Sequence, residues 1–462
     1  MLEMLEDVLV KRKLILVCAG YQGGSAYTML SKEYEIICFA DNNPEKYNYQ
    51  IYGKEIILIK NVIDYIDGET DILICSKNYY VEIEEQLLEM GVKKFYVYYD
   101  GEIYNGGIRK IDEPIKMCTR CVMDNSSDKY ILFKDNGECN YCTSALKRKK
   151  VEYFPNEEGE EKLQQLISQA KEEGKGKKYD CVMGISGGLD SSYLLYLGYK
   201  WGLRVLALHI DDGFDTEISK NNLSKLIKTT GYDYEVIKPD PEQYNDLTLA
   251  YMKAGVPNIA IPQDNILLAY IYRRMIDYKI TYFLSGGNFA LESILQRGNT
   301  HSSLDLSNMF KIHEKFGEKG IDKLEFISQG GIEKNERELG IQSPRPLNYI
   351  DYNRRRALKE LFEFCGFEYY GSKHLENIFT AFVQLYWLPM KFGVDKRKSH
   401  FSSMIISDQL SRDSAIEELQ GQSINEELLK QYIDIIKRTF CISDQEFEVI
   451  MEKSGVDHTI YA

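Results

Sequence analysis

The sequence predicts an α/β protein with two parallel-sheet domains, a small four-cysteine segment between them and a largely helical C-terminal part. Three observations predict it. Strand-like and helix-like stretches alternate from residue 13 to 107, the pattern that builds parallel sheets. The segment Tyr179-Asp-Cys-Val-Met-Gly-Ile-Ser-Gly-Gly-Leu-Asp-Ser-Ser192 reads as a buried strand running through a glycine turn into an apolar-periodic helix, Tyr193 to Trp201. The last hundred residues carry capping signals at Ser414-Ala-Ile-Glu, Ser423-Ile-Asn-Glu and Ser443-Asp-Gln-Glu.

Composition narrows the class. With 462 residues the chain can hold two or three domains, and 28% charged with 44% apolar residues is the balance of an ordinary globular protein. Acidic residues outnumber Lys and Arg 71 to 57, a net charge of −14 that disfavours a nucleic-acid clamp. No apolar run approaches the ~20 residues of a membrane span. The start, Met1-Leu-Glu-Met-Leu-Glu-Asp7, is acidic where a signal peptide would be basic, so a cytoplasmic location is expected. Four of the ten cysteines form two CxxC pairs, which argues for a metal site in a reducing compartment.

In the first domain, 1–110, strands are expected at Lys13 to Cys18, Glu35 to Ala40, Asp71 to Ser76 and Lys94 to Tyr98. A turn is read at Gly20-Tyr-Gln-Gly-Gly24, and helices at Ser25 to Ser31 and Val81 to Met90. A glycine turn after the first strand, with Asp41 ending the second, is a loosened dinucleotide fingerprint. A bound nucleotide or nucleotide-sugar and a docking or scaffold role both remain open. Phe39-Ala-Asp-Asn-Asn-Pro-Glu-Lys46, Cys75-Ser-Lys-Asn-Tyr-Tyr80 and Gly91-Val-Lys-Lys-Phe-Tyr-Val97 resemble Rossmann-like modules attached to glycan-biosynthesis enzymes.

Residues 111–155 hold Cys118-Thr-Arg-Cys121 and Cys139-Asn-Tyr-Cys142, seventeen residues apart. Two such knuckles fit a tetrahedral zinc ribbon, each pair placing two thiolates ~2.3 Å from one Zn²⁺. With Cys118, Cys121, Cys139 and Cys142 as ligands the coordination shell is full and the metal structural. A redox pair and a bridging iron–sulfur cluster are the alternatives.

The third domain, 156–345, is built around Ser186-Gly-Gly-Leu-Asp-Ser-Ser192. Gly187 and Gly188 let the backbone turn tightly and approach an anion. The hydroxyls of Ser186, Ser191 and Ser192 and the free N–H groups of the next helix suit phosphate. A Walker A loop is excluded by spacing and by the lack of a Lys-Ser/Thr pair. Further strands are expected at Val205 to Ile210, Tyr234 to Lys238 and Thr281 to Leu284, with a helix at Ser219 to Thr230.

The Ser186–Ser192 string resembles the PP-loop of the ATP pyrophosphatases, which split ATP between its α and β phosphates. In an open parallel sheet the ligand lies beyond the carboxyl ends of the strands. Three segments fall there. Ile185 to Ser192 would hold phosphates; His209, Ile210 and Asp211 or Asp212 would border adenosine and ribose; Gly286, Gly287 and Asn288 would approach the α-phosphate. Asp190 either caps its helix or lies near Mg²⁺. Glu292 faces the same crevice if a helix begins at 289.

The helical region 346–462 completes the site. Tyr369-Tyr-Gly-Ser-Lys-His374-Leu-Glu-Asn-Ile-Phe-Thr380 and Leu388-Pro-Met-Lys-Phe-Gly-Val-Asp-Lys-Arg-Lys-Ser-His400, with the CxxC pairs and the Ser-Gly-Gly loop in the same order, resemble the N-acetyl sugar amidotransferases of bacterial surface-polysaccharide and flagellar-sugar pathways. The resemblance covers about residues 115 to 460. It implies an adenine nucleotide alpha hydrolase-like fold, ATP with Mg²⁺, and an amino-sugar acceptor whose acetamido group becomes an acetamidino group. It also implies ammonia from a partner glutaminase, with a cyclase-like companion. Lys391, Lys396, Arg397, Lys398 and His400 would stabilise departing pyrophosphate, unless they form an exposed basic face. Lys373, His374 and Glu376 are acid–base or substrate candidates, and Tyr370 and Tyr386 are read as packing. A tRNA thiolase and a non-catalytic nucleotide-sugar-binding scaffold are the competing functions.

Overall fold

The computed structural model describes residues 12–107, 114–126, 128–371, 375–421 and 425–461. It is a mixed α/β structure with parallel sheets, a four-cysteine cluster and a helical C-terminal part, as the sequence predicts. The chain divides into two compact units, Met1–Ser144 and Ala145–Ala462.

The first unit holds strands β1 (Lys13–Val17), β2 (Glu35–Asp41), β3 (Gln50–Ile51), β4 (Lys54–Leu58), β5 (Thr70–Ile74), β6 (Tyr96–Tyr99) and β7 (Glu102–Asn105). Their order is β3-β4-β2-β1-β5-β6-β7, with β4, β2, β1, β5 and β6 parallel and the two edges antiparallel. Alternation in β1 explains the layering: Ile15 and Val17 pack with Tyr80 and Leu87 on one face, while Leu14 and Leu16 pack with Ala26 and Leu30 on the other. A sheet apolar on both faces has to be covered by helices.

The first helix, Tyr21–Leu30, starts earlier than the expected Ser25, so Gly23 and Gly24 lie inside it rather than in a turn. The reason is close packing: a Cβ on Gly23 would stand 2.1 Å from the Cys18 carbonyl oxygen. The second helix, Tyr80–Glu89, occupies the predicted stretch. Strands β3, β4 and β7 were not expected.

The second unit centres on β8 (Cys181–Gly184), β9 (Val205–Ile210) and β10 (Asp233–Ile237), parallel in the order β10-β9-β8. Phe283 bridges Val182 and Gln342 bridges Tyr282, both in the parallel sense, so the chain order reverses beside β8. The helix after the glycine turn begins at Leu189, inside the Ser-Gly-Gly string, and runs to Lys200. The C-terminal helices bury Phe379, Phe382, Trp387 and Ile436 against Phe214 and Tyr251. Of the three capping signals, Ser443 forms its capping box. Ser411, not Ser414, caps Arg412–Gln420, because its hydroxyl accepts from Ser414 N at 3.1 Å. Asn425 caps Glu426–Thr439, and Ser423 lies outside the described residues.

The entry to β8 is held by charge. Asp180, 3% exposed, accepts from the Arg204 backbone N–H at 2.7 Å and pairs with its guanidinium, which also donates to the carbonyls of Gly174 (2.7 Å) and Lys177 (2.6 Å). Removing the cation strands a buried carboxylate. Arg204→Ala is therefore expected to cost about 2–3 kcal/mol, measurable by urea unfolding.

Candidate active site

The glycine turn emerges from β8 and is built to take an anion. Gly187 has φ +75°, and a Cβ there would meet Ser219 Oγ at 2.5 Å; a Cβ on Gly188 would meet Glu376 Oε1 at 2.6 Å. Positive φ and the Ser219 backbone oxygen at 2.8 Å require glycine at 187, whereas a side chain at 188 would have to displace the Glu376 carboxylate. The loop amides point at hydroxyls: Ser186 N donates to Ser191 Oγ (3.3 Å), Gly188 N to Ser186 Oγ (3.2 Å) and Leu189 N to Tyr370 Oη (2.9 Å). Ser192 Oγ is buried with no hydrogen-bond partner. The Ser186 and Ser191 hydroxyls, which can turn to donate or accept, are a donor set that fits phosphate oxygens; Ser192, expected among them, is instead fully buried and lies off the cavity that the loop opens on.

The loop opens on a cavity of about 350 Å³ at the carboxyl ends of β8 and β9. Of the expected nucleotide-binding residues, Ile185, Ser186, Gly188, Asp190, Ser191, His209, Ile210, Gly286 and Gly287 line it, and Glu376, Glu292 and His400 join them. Gly286 is pressed on the loop, its would-be Cβ 3.2 Å from Ser191 N. Asp190 does not cap its helix; Gly188 is the N-cap and Asp190 accepts from the buried Tyr352 hydroxyl. His209 is not a free contact for adenosine. Its Nδ1 lies 2.8 Å from Ile185 O and its Nε2 2.7 Å from Asp215 Oδ2.

Other expectations are corrected. Asp211 turns outward to Lys238 at 2.8 Å, and Asp212 lines the cavity instead, held by Gln263 and by Asn377 at 3.2 Å. Asn288 spends its side chain capping Phe289–Glu292. Arg397 is tied to Asp395 at 2.7 Å and to the carbonyl of Gly421 at 2.8 Å, closing off the helix Arg412–Gln420. Lys391 donates to the Ile450 carbonyl at 2.7 Å, at the end of another helix. Lys396 and Lys398 sit in the first turn of Lys396–Ile406, and His400 is the side chain from that helix that reaches the cavity wall. Lys373 and His374 lie outside the described residues.

Sequence reasoning missed Arg354, Asp215 and Asn377, left Asp211 and Asp212 as alternatives, and read Tyr370 as packing. Arg354 brings a guanidinium to the cavity, 4.9 Å over the Tyr369 ring. Its signal was the isolated Arg354-Arg-Arg run in an acidic chain.

Six carboxyl residues are on the walls: Asp190, Asp212, Asp215, Asp264, Glu292 and Glu376. Burial pushes the Asp212 carboxyl up to about 6, with the Asp215 charge adding to it. Burial would also lower the His209 pKa, but the Asp215 hydrogen bond and charge and the Ile185 carbonyl outweigh it, and the value stands above the usual 6.5. An anion-binding loop facing such walls suits a ligand that arrives with cations.

In the first unit, Cys118, Cys121, Cys139 and Cys142 are fully buried with their sulfurs within 4.8 Å of one another. The Cys118–Cys142 and Cys121–Cys139 separations are both 3.8 Å, the edge of a tetrahedron with ~2.3 Å metal–sulfur bonds. Backbone N–H groups of Arg120, Met123 and Cys139 point at these sulfurs at 3.3–3.4 Å, as thiolate ligands require. The donor set fits a tetrahedral metal with no open position.

Residues 376–462 match a family model described as "LPS biosynthesis protein WbpG-like, C-terminal domain", and residues 10–98 one described as "C2185-like, N-terminal". An uncharacterised protein of Methanocaldococcus jannaschii is 28% identical over 140 residues, 30% of this chain and 47% of the relative; the match spans about half the relative's length. Among solved structures, NAD+ synthetase from Burkholderia pseudomallei is 13% identical, covering 65% of this chain and 96% of that one, with a TM-score of 0.28. NMN synthetase from Francisella tularensis is 13% identical over 58% and 98%, with a TM-score of 0.25. UDP-D-quinovosamine 4-dehydrogenase from Vibrio fischeri is 20% identical over 21% and 95%, with a TM-score of 0.19.

Two outcomes test the site. A raised histidine pKa stabilises the fold fully below its unfolded value of ~6.5, and the contribution fades as pH rises through the folded value. Asp215→Asn should therefore lower the melting temperature more at pH 6 than at pH 8; an equal loss at both would show that the pair is not charged. For the cysteines, elemental analysis should find about one tetrahedral metal per chain, lost in Cys142→Ser together with cooperative melting of the first unit.

Proposed function

We propose that the chain is an ATP-dependent amidotransferase forming AMP and pyrophosphate, which converts a sugar acetamido group to an acetamidino group in bacterial surface-glycan synthesis. One observation carries the reading: the preformed glycine loop Ser186–Ser192 opens, through Ser186, Gly188, Asp190 and Ser191, on a cavity whose walls also carry Asp212, Glu292 and Glu376. The match of residues 376–462 to a family described for LPS biosynthesis supports the glycan setting.

An amide is a poor electrophile. Its oxygen attacks the innermost phosphorus of ATP, an O–P bond forms, and pyrophosphate leaves. Ammonia then adds to the imidate carbon, AMP departs with the C–O electrons, and the nitrogen gives up a proton. In this scheme the loop N–H groups and hydroxyls hold phosphate oxygens, and Arg354 faces the developing charge. Asp190, oriented by Tyr352, would hold Mg²⁺. Asp212, with its pKa near 6, and Glu376 are the proton acceptors beside the nucleotide. Zn²⁺ is the metal proposed for the four cysteines.

No cysteine is among the described residues lining the cavity. That argues for ammonia from a partner glutaminase, and against a thiolase relaying sulfur through a cysteine. A cytoplasmic location, where ATP is abundant, belongs to the same reading.

Incubation of acetamido sugars with ATP and ammonium should yield AMP, pyrophosphate and a product lighter by the difference between O and NH on mass spectrometry. Asp190→Asn should lower the rate about 10²-fold or more. Formation of ADP and orthophosphate instead would refute the scheme, and glutamine-dependent activity of the isolated chain would remove the partner.

A further inference from the structure

The first unit carries a second crevice, of about 720 Å³, outside the site above. It lies at the carboxyl ends of β1 and β5, where the strand order reverses: β2 and β4 lie on one side of β1, β5 and β6 on the other. Open α/β sheets bind ligands at this point.

The residues after β1 adopt the geometry of a dinucleotide fingerprint in an altered register, Cys18-Ala-Gly20-Tyr-Gln-Gly23. Cys18 takes φ +85°, the left-handed conformation that a first glycine would supply for the tight turn. Gly23 is the close-packing position, with its would-be Cβ 2.1 Å from the Cys18 oxygen. Gly20 is different: a Cβ there meets nothing within 4 Å, because it faces the crevice. Its backbone, φ −130° and ψ −164°, is open to any residue. The fold therefore does not need a glycine at 20, whereas close approach of a diphosphate to the backbone would.

Other groups converge. No side chain caps the helix Tyr21–Leu30, and Lys46, held at 2.8 Å by Asp41 at the end of β2, lines the crevice from the turn Pro44–Lys46. Two tyrosines on the crevice wall, Tyr21 and Tyr79, are 89% and 66% exposed, in position to stack on a base.

We infer that the first unit binds a nucleoside 5′-diphosphate group, as part of a nucleotide-linked sugar or of a dinucleotide. Helix amides and Lys46 take the phosphates, Gly20 gives them room, and an exposed tyrosine takes the base. This site does not depend on the amidotransferase reading.

Calorimetric titration of the full chain with UDP and with NAD tests it, the two ligands separating the two sources. Binding of at least one is expected, weakened about tenfold or more in Gly20→Val with an unchanged melting temperature. Equal affinity in Gly20→Val would place the ligand elsewhere and overturn the inference, as would no binding of either ligand at millimolar concentration. Should Gly20→Val fail to fold, the double variant Tyr21→Ala with Tyr79→Ala decides through the two exposed rings. About threefold weaker binding is then expected, and unchanged affinity overturns the inference.

Discussion

A buried imidazole holds the candidate active site together. His209, at the end of β9, reaches back to the carbonyl of Ile185 at the start of the phosphate-type loop and forward to Asp215. Asp215 in turn bridges Asn377 in an antiparallel pair, flanked by Ile378 N to Phe214 O at 2.8 Å and Thr216 N to Glu376 O at 3.0 Å. One ring thus links the loop, the central strand and a segment more than 150 residues further on. A neutral imidazole satisfies one of its two acceptor partners and a protonated one satisfies both, which is why the raised pKa and the geometry agree.

The same linkage sets the electrostatics. Holding the 376–378 segment against β9 brings Glu376 onto Gly188 and Asn377 onto Asp212, so two carboxylates face the loop that would hold an anion. Left alone, such a cavity repels phosphate. Among the described residues, the Arg354 guanidinium and a protonated His209 bring positive charge to offset that repulsion. Under the proposed function, such walls would favour a phosphate that arrives with its metal.

Local chemistry made much of this legible. The Ser-Gly-Gly string declares its turn because the positive φ at Gly187 requires glycine, and nine of the fourteen expected nucleotide-binding residues line the cavity. The cysteine spacing likewise foretold the cluster. Failures arose where tertiary partners decide. Arg397 and Lys391 read as phosphate ligands because they are cations near a motif, yet helix carbonyls claim them. Asp211 and Asp212 are adjacent on a strand end, where successive side chains point opposite ways. Only the partner across the gap, Lys238 for one and Asn377 for the other, tells them apart. Tyr370 looked like packing because nothing local shows that its hydroxyl reaches Leu189 N.

That contact bears on how ready the loop is. Three loop amides are already oriented by hydroxyls: Ser191, Ser186 and Tyr370 accept from Ser186 N, Gly188 N and Leu189 N. The strained turn at Gly187 is clamped from below by Ser219, whose hydroxyl donates to Ser186 O at 2.9 Å. A flexible loop would lose conformational entropy on closing around a ligand; this one has lost it during folding. Binding then needs hydroxyls to rotate rather than backbone to reorganise, and donors already aimed at developing charge lower a barrier more than donors that must be gathered.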